Sequence, residues 1–151
     1  MRLRFATEDD AAALADVHGK AFDSAWTAPD IARLMTILGG FALAAEDEGI
    51  VGFVLARSVG GEAEILTLAV APWARRRGVG AALVEAVAVH AGAGGSKALF
   101  LEVAADNEAA VGVYLKTGFK QAGLRRAYYA RPGAAAMDAL VLRRALNSRP
   151  S

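Results

Sequence analysis

The stretch Leu66-Thr67-Leu68-Ala69-Val70-Ala71-Pro72-Trp73-Ala74-Arg75-Arg76-Arg77-Gly78-Val79-Gly80-Ala81 decides how this chain is read. Its first five residues form an apolar run that reads as the end of a strand. A basic, glycine-punctuated turn follows. Val79, Leu83, Ala86, Val87 and His90 then recur near a spacing of 3.6, which predicts a helix beginning at Gly78. The start of a helix offers backbone N–H groups without intrahelical partners and the positive end of its dipole. Glycine lets a ligand approach the backbone closely, and Arg75, Arg76 and Arg77 add positive charge. A phosphate fits such a place. The spacing excludes two common phosphate binders. Residue 83 is Leu, so G-x-G-x-x-G is not met, and no G-x-x-x-x-G-K-[ST] occurs. A pyrophosphate-bearing carrier such as coenzyme A remains. Taken alone, three consecutive arginines are usually a solvated surface.

Outward from this turn, the chain divides into short elements. Leu3–Ala6 is predicted as a first strand. Thr7 then caps a helix with acids in its first turn and a stripe of Leu14, Val17, His18 and Phe22. Thr27-Ala28-Pro29-Asp30 starts a second helix, with Ile31, Leu34, Met35 and Leu38 on one side and Gly39-Gly40 at its end. Strands follow over Phe41–Ala45, Val51–Arg57 and Glu64–Val70. The tight turns between them imply an antiparallel meander. After the long helix come a strand over Ala98–Val103 and a short helix from Glu108 to Lys116 closed by Gly118. Two last strands, Phe119–Ala127 and Met137–Arg144, are joined by a loop over Tyr128–Ala136. The order is β-α-α-β-β-β-α-β-α-β-β, with Glu64–Val103 forming a parallel crossover inside a mixed sheet. One domain over residues 1–146 is expected, with 147–151 a frayed tail.

Composition narrows the class. The 151 residues are 55% hydrophobic and 22% charged, which suits one ordered globule. No uninterrupted apolar stretch reaches the roughly 18 to 20 residues of a membrane span, and the first residues lack a long apolar signal segment. Zero cysteines exclude a thiolate nucleophile, a disulfide framework and a Cys-ligated metal. No spacing of histidines and acids suggests a metal site either. A soluble cytoplasmic protein without a direct nucleic-acid or membrane partner, monomeric or weakly oligomeric, is the expectation. The net charge of +1 divides into −5 over residues 1–75 and +6 over residues 76–151. That asymmetry either separates a basic cofactor side from an acidic substrate side or disappears once the chain folds.

Leu66–Val70 followed by Arg75-Arg76-Arg77-Gly78-Val79-Gly80 resembles the acetyl-CoA-binding segment of the GNAT family of N-acetyltransferases. Leu99–Val103, Asn107 and Val113-Tyr114-Leu115-Lys116-Thr117-Gly118-Phe119 resemble the second half of that fold. Arg126-Ala127-Tyr128-Tyr129 and Asp138-Ala139-Leu140 are similar to the branch that acetylates the N-terminal alanine of a ribosomal protein, RimI. The resemblance implies an α/β (α+β) fold with a mostly antiparallel central sheet and helices on both faces. It implies that Leu68, Ala69 and Val70 offer backbone groups to the pantetheine arm, beside a bulge that splays the strand from its neighbour. Arg76, Arg77, Gly78, Val79, Gly80 and Ala81 would cradle the pyrophosphate, and Arg75 stands where the motif carries Gln or Arg. Asn107, locally a helix N-cap, would also contact coenzyme A. The chain departs from the branch at Ala104 and Asp106, where relatives often carry Arg and Ser, and this bears on substrate preference.

Acetyl transfer to an amine needs a neutral amine, donors for the developing oxyanion, and stabilisation of the leaving thiolate. Glu102 lies in the apolar run Leu99–Val103, where a carboxylate is costly to bury unpaired. It is an outward-facing strand residue, the end of a salt bridge, or a general base with a burial-raised pKa. The resemblance favours the base, acting through water. Tyr114 reads locally as a core tyrosine, and the resemblance makes it the acid that serves the leaving sulfur. The base has little to do if the acceptor is a peptide α-amine, whose pKa is about 7.7–8.0 against about 10.4 for lysine. Trp26, Tyr128 and Tyr129 either line the acceptor groove or simply pack. His18 and His90 are expected to be structural or exposed. The implied activity is acetylation of a protein N-terminus, with a ribosomal protein as leading acceptor. Acetylation of lysines or small amines, or acyl-CoA binding without turnover, are the alternatives.

Overall fold

Short turns rich in glycine and acids force successive strands to pair antiparallel. The computed structural model, which describes residues 1–23, 26–130, 133 and 135–146, shows this meander at its centre. Strands β1 (Arg2–Phe5), β2 (Gly40–Glu46), β3 (Ile50–Val59) and β4 (Glu62–Val70) pair antiparallel in sequence order. Strand β5 (Ala98–Ala104) then joins β4 in parallel, and β7 (Met137–Ala145) and β6 (Lys120–Tyr129) complete a seven-stranded sheet of order β1-β2-β3-β4-β5-β7-β6. A parallel neighbour needs a crossover, and helix α3 (Val79–Ala93) supplies it.

The helices cover both faces. Alternation along β2 sends Ala42 and Ala44 towards α1 (Ala11–Ala21) and α2 (Ala28–Thr36). Leu43 and Ala45 point to the opposite side, where α3 lies. Val79, Leu83, Val84, Val87, Ala88 and Ala91 of α3 fill the larger core, and α4 (Glu108–Lys116) adds Tyr114 beside Phe119. On the other face Phe53 of β3 is wholly buried with Leu14, Val17 and Ile31. Truncating Phe53 to Ala is expected to cost about 3–5 kcal/mol.

Local chemistry explains the ends of these elements. Thr27 Oγ1 accepts the Asp30 N–H at 3.2 Å, capping α2 with Pro29 in its first turn. Gly39, at φ +77°, lies where a Cβ would come within 2.1 Å of the Ser58 carbonyl oxygen, so only glycine fits there. Some expectations need correction. Helix α2 stops at Thr36, so Leu38 is 77% exposed instead of continuing its stripe. His90 is exposed, as one of its two expected readings had it, and meets Phe5 and Phe41 edge-on, so only its place in the buried stripe of α3 is corrected. Strand β6 runs to Tyr129, so Tyr128 and Tyr129 belong to a strand end and not to a loop. The expected frayed tail, 147–151, lies outside the described residues. Among the described residues, no helix is long and apolar enough to cross a membrane.

Arg4 ties β1 to the start of α1. Its guanidinium donates to both Asp10 carboxylate oxygens at 2.8 Å, and its Nε pairs with Glu46. Asp10 also accepts the Thr7 N–H at 2.8 Å. Led by the Arg4 hydrogen bonds, these contacts lower the Asp10 carboxyl to about 2. The unfolded chain therefore takes up this proton first as pH falls, so the contribution is full above about pH 4 and lost towards pH 2. Asp10→Asn is expected to cost about 1–2 kcal/mol at pH 7, after discounting for solvent screening. Urea unfolding should show the two proteins converging between pH 4 and pH 2.

Candidate active site

The site begins with a failure of pairing. Strands β4 and β5 touch only over Glu62↔Ala98, Ala63↔Leu99 and Glu64↔Phe100. Just beyond, the register of β4 against β3 slips between Ile65 and Thr67, leaving Leu66 as an extra residue. Such a bulge bends and twists a strand. Past it the strands diverge, and a cleft of about 950 Å³ opens between them.

Ile65 to Leu68 line this cleft from β4, Leu101 to Ala104 from β5, and Ala110 and Tyr114 from α4. His18, Phe22 and Trp26 close it on the side of α1, and Tyr129 lines it from the end of β6. The sequence-predicted residues Leu68, Glu102, Asn107, Tyr114, Trp26 and Tyr129 thus share one wall system. Tyr128 does not join them. It is 47% exposed, with the Arg125 guanidinium 4.1 Å above its ring. The register of β6 slips between Arg125 and Tyr129, and the two tyrosine rings meet edge-on at 5.2 Å. Ala127 takes φ +52° there, and its N–H donates to Asp138 at 2.8 Å.

The basic turn borders the cleft without lining it. Ala69 is buried against the α1 and α2 core, and Val70 lies at the end of β4, partly buried against the α3 side. The chain then makes a single 3-10 turn, Pro72–Ala74, before Arg75, Arg76 and Arg77 at the surface. Arg76 and Gly78 adopt φ of +65° and +78°. A non-glycine residue in that region stores about 1–2 kcal/mol. The turn curls into the start of α3, where Val79, Gly80 and Ala81 carry first-turn N–H groups with no intrahelical acceptor. A Cβ at Gly80 would sit 3.7 Å from Val113, 3.8 Å from Val70 and 3.9 Å from Leu68. The first turn of α3 therefore closes on the end of β4 and on α4. A left-handed residue beside a glycine-led helix start fits a pyrophosphate. Arg75 Nε folds back to the Val70 carbonyl at 3.3 Å, and Arg77 faces Asp47 at 3.9 Å.

Glu102 stands where the cleft meets a shallower groove of about 360 Å³ that includes Arg57, Glu62, Glu64 and Phe100. Its Oε1 accepts from Arg125 at 2.8 Å, the salt bridge that the sequence held as one alternative without naming the partner. Nearby, burial and then the Glu102 charge raise the Tyr129 phenol and the Glu64 carboxyl above their ordinary ranges. Tyr114 is 5% exposed, and burial pushes its phenol well above the usual value, so it stays protonated while the protein is folded. Asn107 Oδ1 accepts the Ala110 N–H at 3.2 Å, the expected cap of α4. Among the described residues, no group of three or more histidines, cysteines and acids is placed to hold a metal ion.

His18 and Thr67 also went unassigned in the sequence. His18 Nε2 lies 3.1 Å from Thr67 Oγ1, a pairing 49 residues apart that no local pattern announces. Burial lowers the His18 pKa below its usual 6.5. As pH falls through about 6.5 the unfolded chain gains this proton first, so stability falls from there downwards. Urea midpoints measured from pH 7 to pH 5 are expected to decline, and His18→Asn should flatten that limb.

Comparison with known proteins agrees with this geometry. Residues 11–119 match the model of the acetyltransferase (GNAT) family. The N-alpha-acetyltransferase RimI of Mycobacterium tuberculosis is 32% identical over 91% of this chain and 88% of its own length. The ribosomal protein bS18 alanine N-acetyltransferase of Salmonella typhimurium is 37% identical over 55% of this chain and 56% of its own. An uncharacterised Mycobacterium leprae protein is 45% identical over 55% of this chain, but only 21% of that protein is covered. The chain thus spans about a fifth and just over half of the length of these last two relatives. The crystal structure of the Escherichia coli ribosomal-protein-S18-alanine N-acetyltransferase superposes with a TM-score of 0.89 at 25% identity, covering 99% of this chain and 96% of that one.

Proposed function

The chain belongs to the GNAT family of acetyltransferases, and on that premise we propose that it moves the acetyl group of acetyl-CoA to the N-terminal α-amine of a protein. The observation that carries this is the meeting of Glu102 and Tyr114 in one cleft, beside the anion-binding start of α3. Acetyl-CoA supplies an electrophilic carbonyl and a thiolate leaving group. Leu68, Ala69 and Val70 hold its arm, the turn from Arg75 to Ala81 holds its pyrophosphate, and Asn107 adds a contact at the head of α4. Glu102 takes the proton of the acceptor amine through a water. Tyr114, kept protonated by burial, donates to the sulfur as it leaves.

Three features favour an α-amine. Its ordinary pKa of about 7.7–8.0 leaves a usable neutral fraction at pH 7, so one carboxylate suffices. Glu62, Glu64 and Glu102 line the groove that leads to the cleft, opposed by Arg57, and this balance draws in a cationic amine. One relative is named an N-alpha-acetyltransferase, and another an alanine N-acetyltransferase of ribosomal protein bS18. An N-terminal alanine of a small-subunit ribosomal protein is accordingly the leading acceptor.

Peptides with a free N-terminal alanine are expected to release coenzyme A thiol when mixed with acetyl-CoA, and blocked peptides with internal lysine are not. Acetylation of only the blocked peptides would transfer the assignment to lysine. Tight cofactor binding without thiol release would make the chain a binding module. Glu102→Gln is expected to lower kcat by about 10²-fold or more, and Tyr114→Phe by a similar factor. Calorimetry should find acetyl-CoA affinity within about twofold of the parent in both.

A further inference from the structure

His18 makes two hydrogen bonds that specify its protonation. Nδ1 accepts the backbone N–H of Trp26 at 3.2 Å, so Nδ1 carries no proton. The neutral ring then bears its proton on Nε2, which donates to Thr67 Oγ1 at 3.1 Å. The ring is also stacked between Phe22, at 4.5 Å and 28°, and Trp26, at 5.1 Å and 24°. It is 2% exposed, yet it lines the cleft.

These contacts join two walls with different duties. Thr67 follows the bulge at Leu66 and precedes Leu68, on the strand that carries the cofactor side. Trp26 stands at the entry to α2, on the side left for the acceptor. Among the described residues, the hydrogen bonds of His18 are what link Trp26 to β4. We infer that His18 is a positioning residue that clamps Trp26 to β4 and thereby shapes the acceptor wall of the cleft. The inference rests on the acetyltransfer reading for its kinetic consequence, though not for the clamp itself.

Two substitutions separate the two bonds. Asparagine places an amide oxygen near Nδ1 and can still accept from Trp26. Glutamine extends towards the place of Nε2 and keeps a partner for Thr67 only. His18→Gln is expected to raise KM for an alanine-terminated peptide about fivefold, the effect of one neutral hydrogen bond. His18→Asn, which gives up Thr67 and with it the link to β4, should raise the peptide KM by a similar factor, and KM for acetyl-CoA should stay within about twofold in both variants. In a Trp73→Phe background, where Trp26 is the remaining tryptophan, acrylamide should quench fluorescence more strongly after either substitution. A peptide KM that stays at the parent value in either variant, or a rise shared with acetyl-CoA, would overturn the positioning role. If the parent protein transfers acetyl to no amine, the acetyltransfer reading fails, and quenching alone decides the clamp. Quenching no stronger than in the parent after either substitution would overturn it.

Discussion

Strands β4 and β5 pair over three residues and then part, and the rest of the molecule is arranged around that parting. The parallel pairing demands the α3 crossover, which delivers the start of a helix to the end of β4. The bulge at Leu66 bends β4 away. Beyond it the facing edges of the two strands no longer satisfy each other's backbone groups. Backbone groups taken from water need partners, and an open strand edge suits an extended, amide-bearing molecule. One local irregularity therefore yields an opening, a helix start at its end and an edge along its length.

The electrostatics follow from the same opening. Tyr114 projects from α4 into a space walled by apolar residues of both strands, so its phenol holds its proton more tightly than in water. Glu102 is placed on β5 where the cleft meets the outer groove, within reach of Arg125 from β6. The two groups differ in environment although only twelve positions separate them. Strand and helix present them to one cleft with unequal access to solvent. Such division of environments lets one site offer two groups of different chemistry.

Much of this was legible from periodicity and punctuation. The recurrence of Val79, Leu83 and Val87 marks the buried face of α3, and the short apolar runs in β2 and β5 mark strands. Thr27 and Asn107 announce their helices because an N-cap is a local interaction. Leu38 misled because the α2 pattern outlasts the helix, which ends two residues earlier. Tyr128 and Tyr129 read as loop because β6 slips in register just before them, and a slip leaves no trace in the side-chain pattern of so polar a strand.

The sequence alone determined the order of elements and the basic, glycine-punctuated turn before α3, since each rests on contacts between residues near in the chain or on a period that repeats. Tertiary structure decided which chemistry-bearing side chains meet. Glu102 with Arg125, and His18 with Thr67 and Trp26, are joined by the way strands stack and helices cross. Those pairings span 8 to 49 positions. No helical or strand period reaches across such distances, so a contact of that kind acquires its meaning only when the sheet is assembled and the two strands have parted.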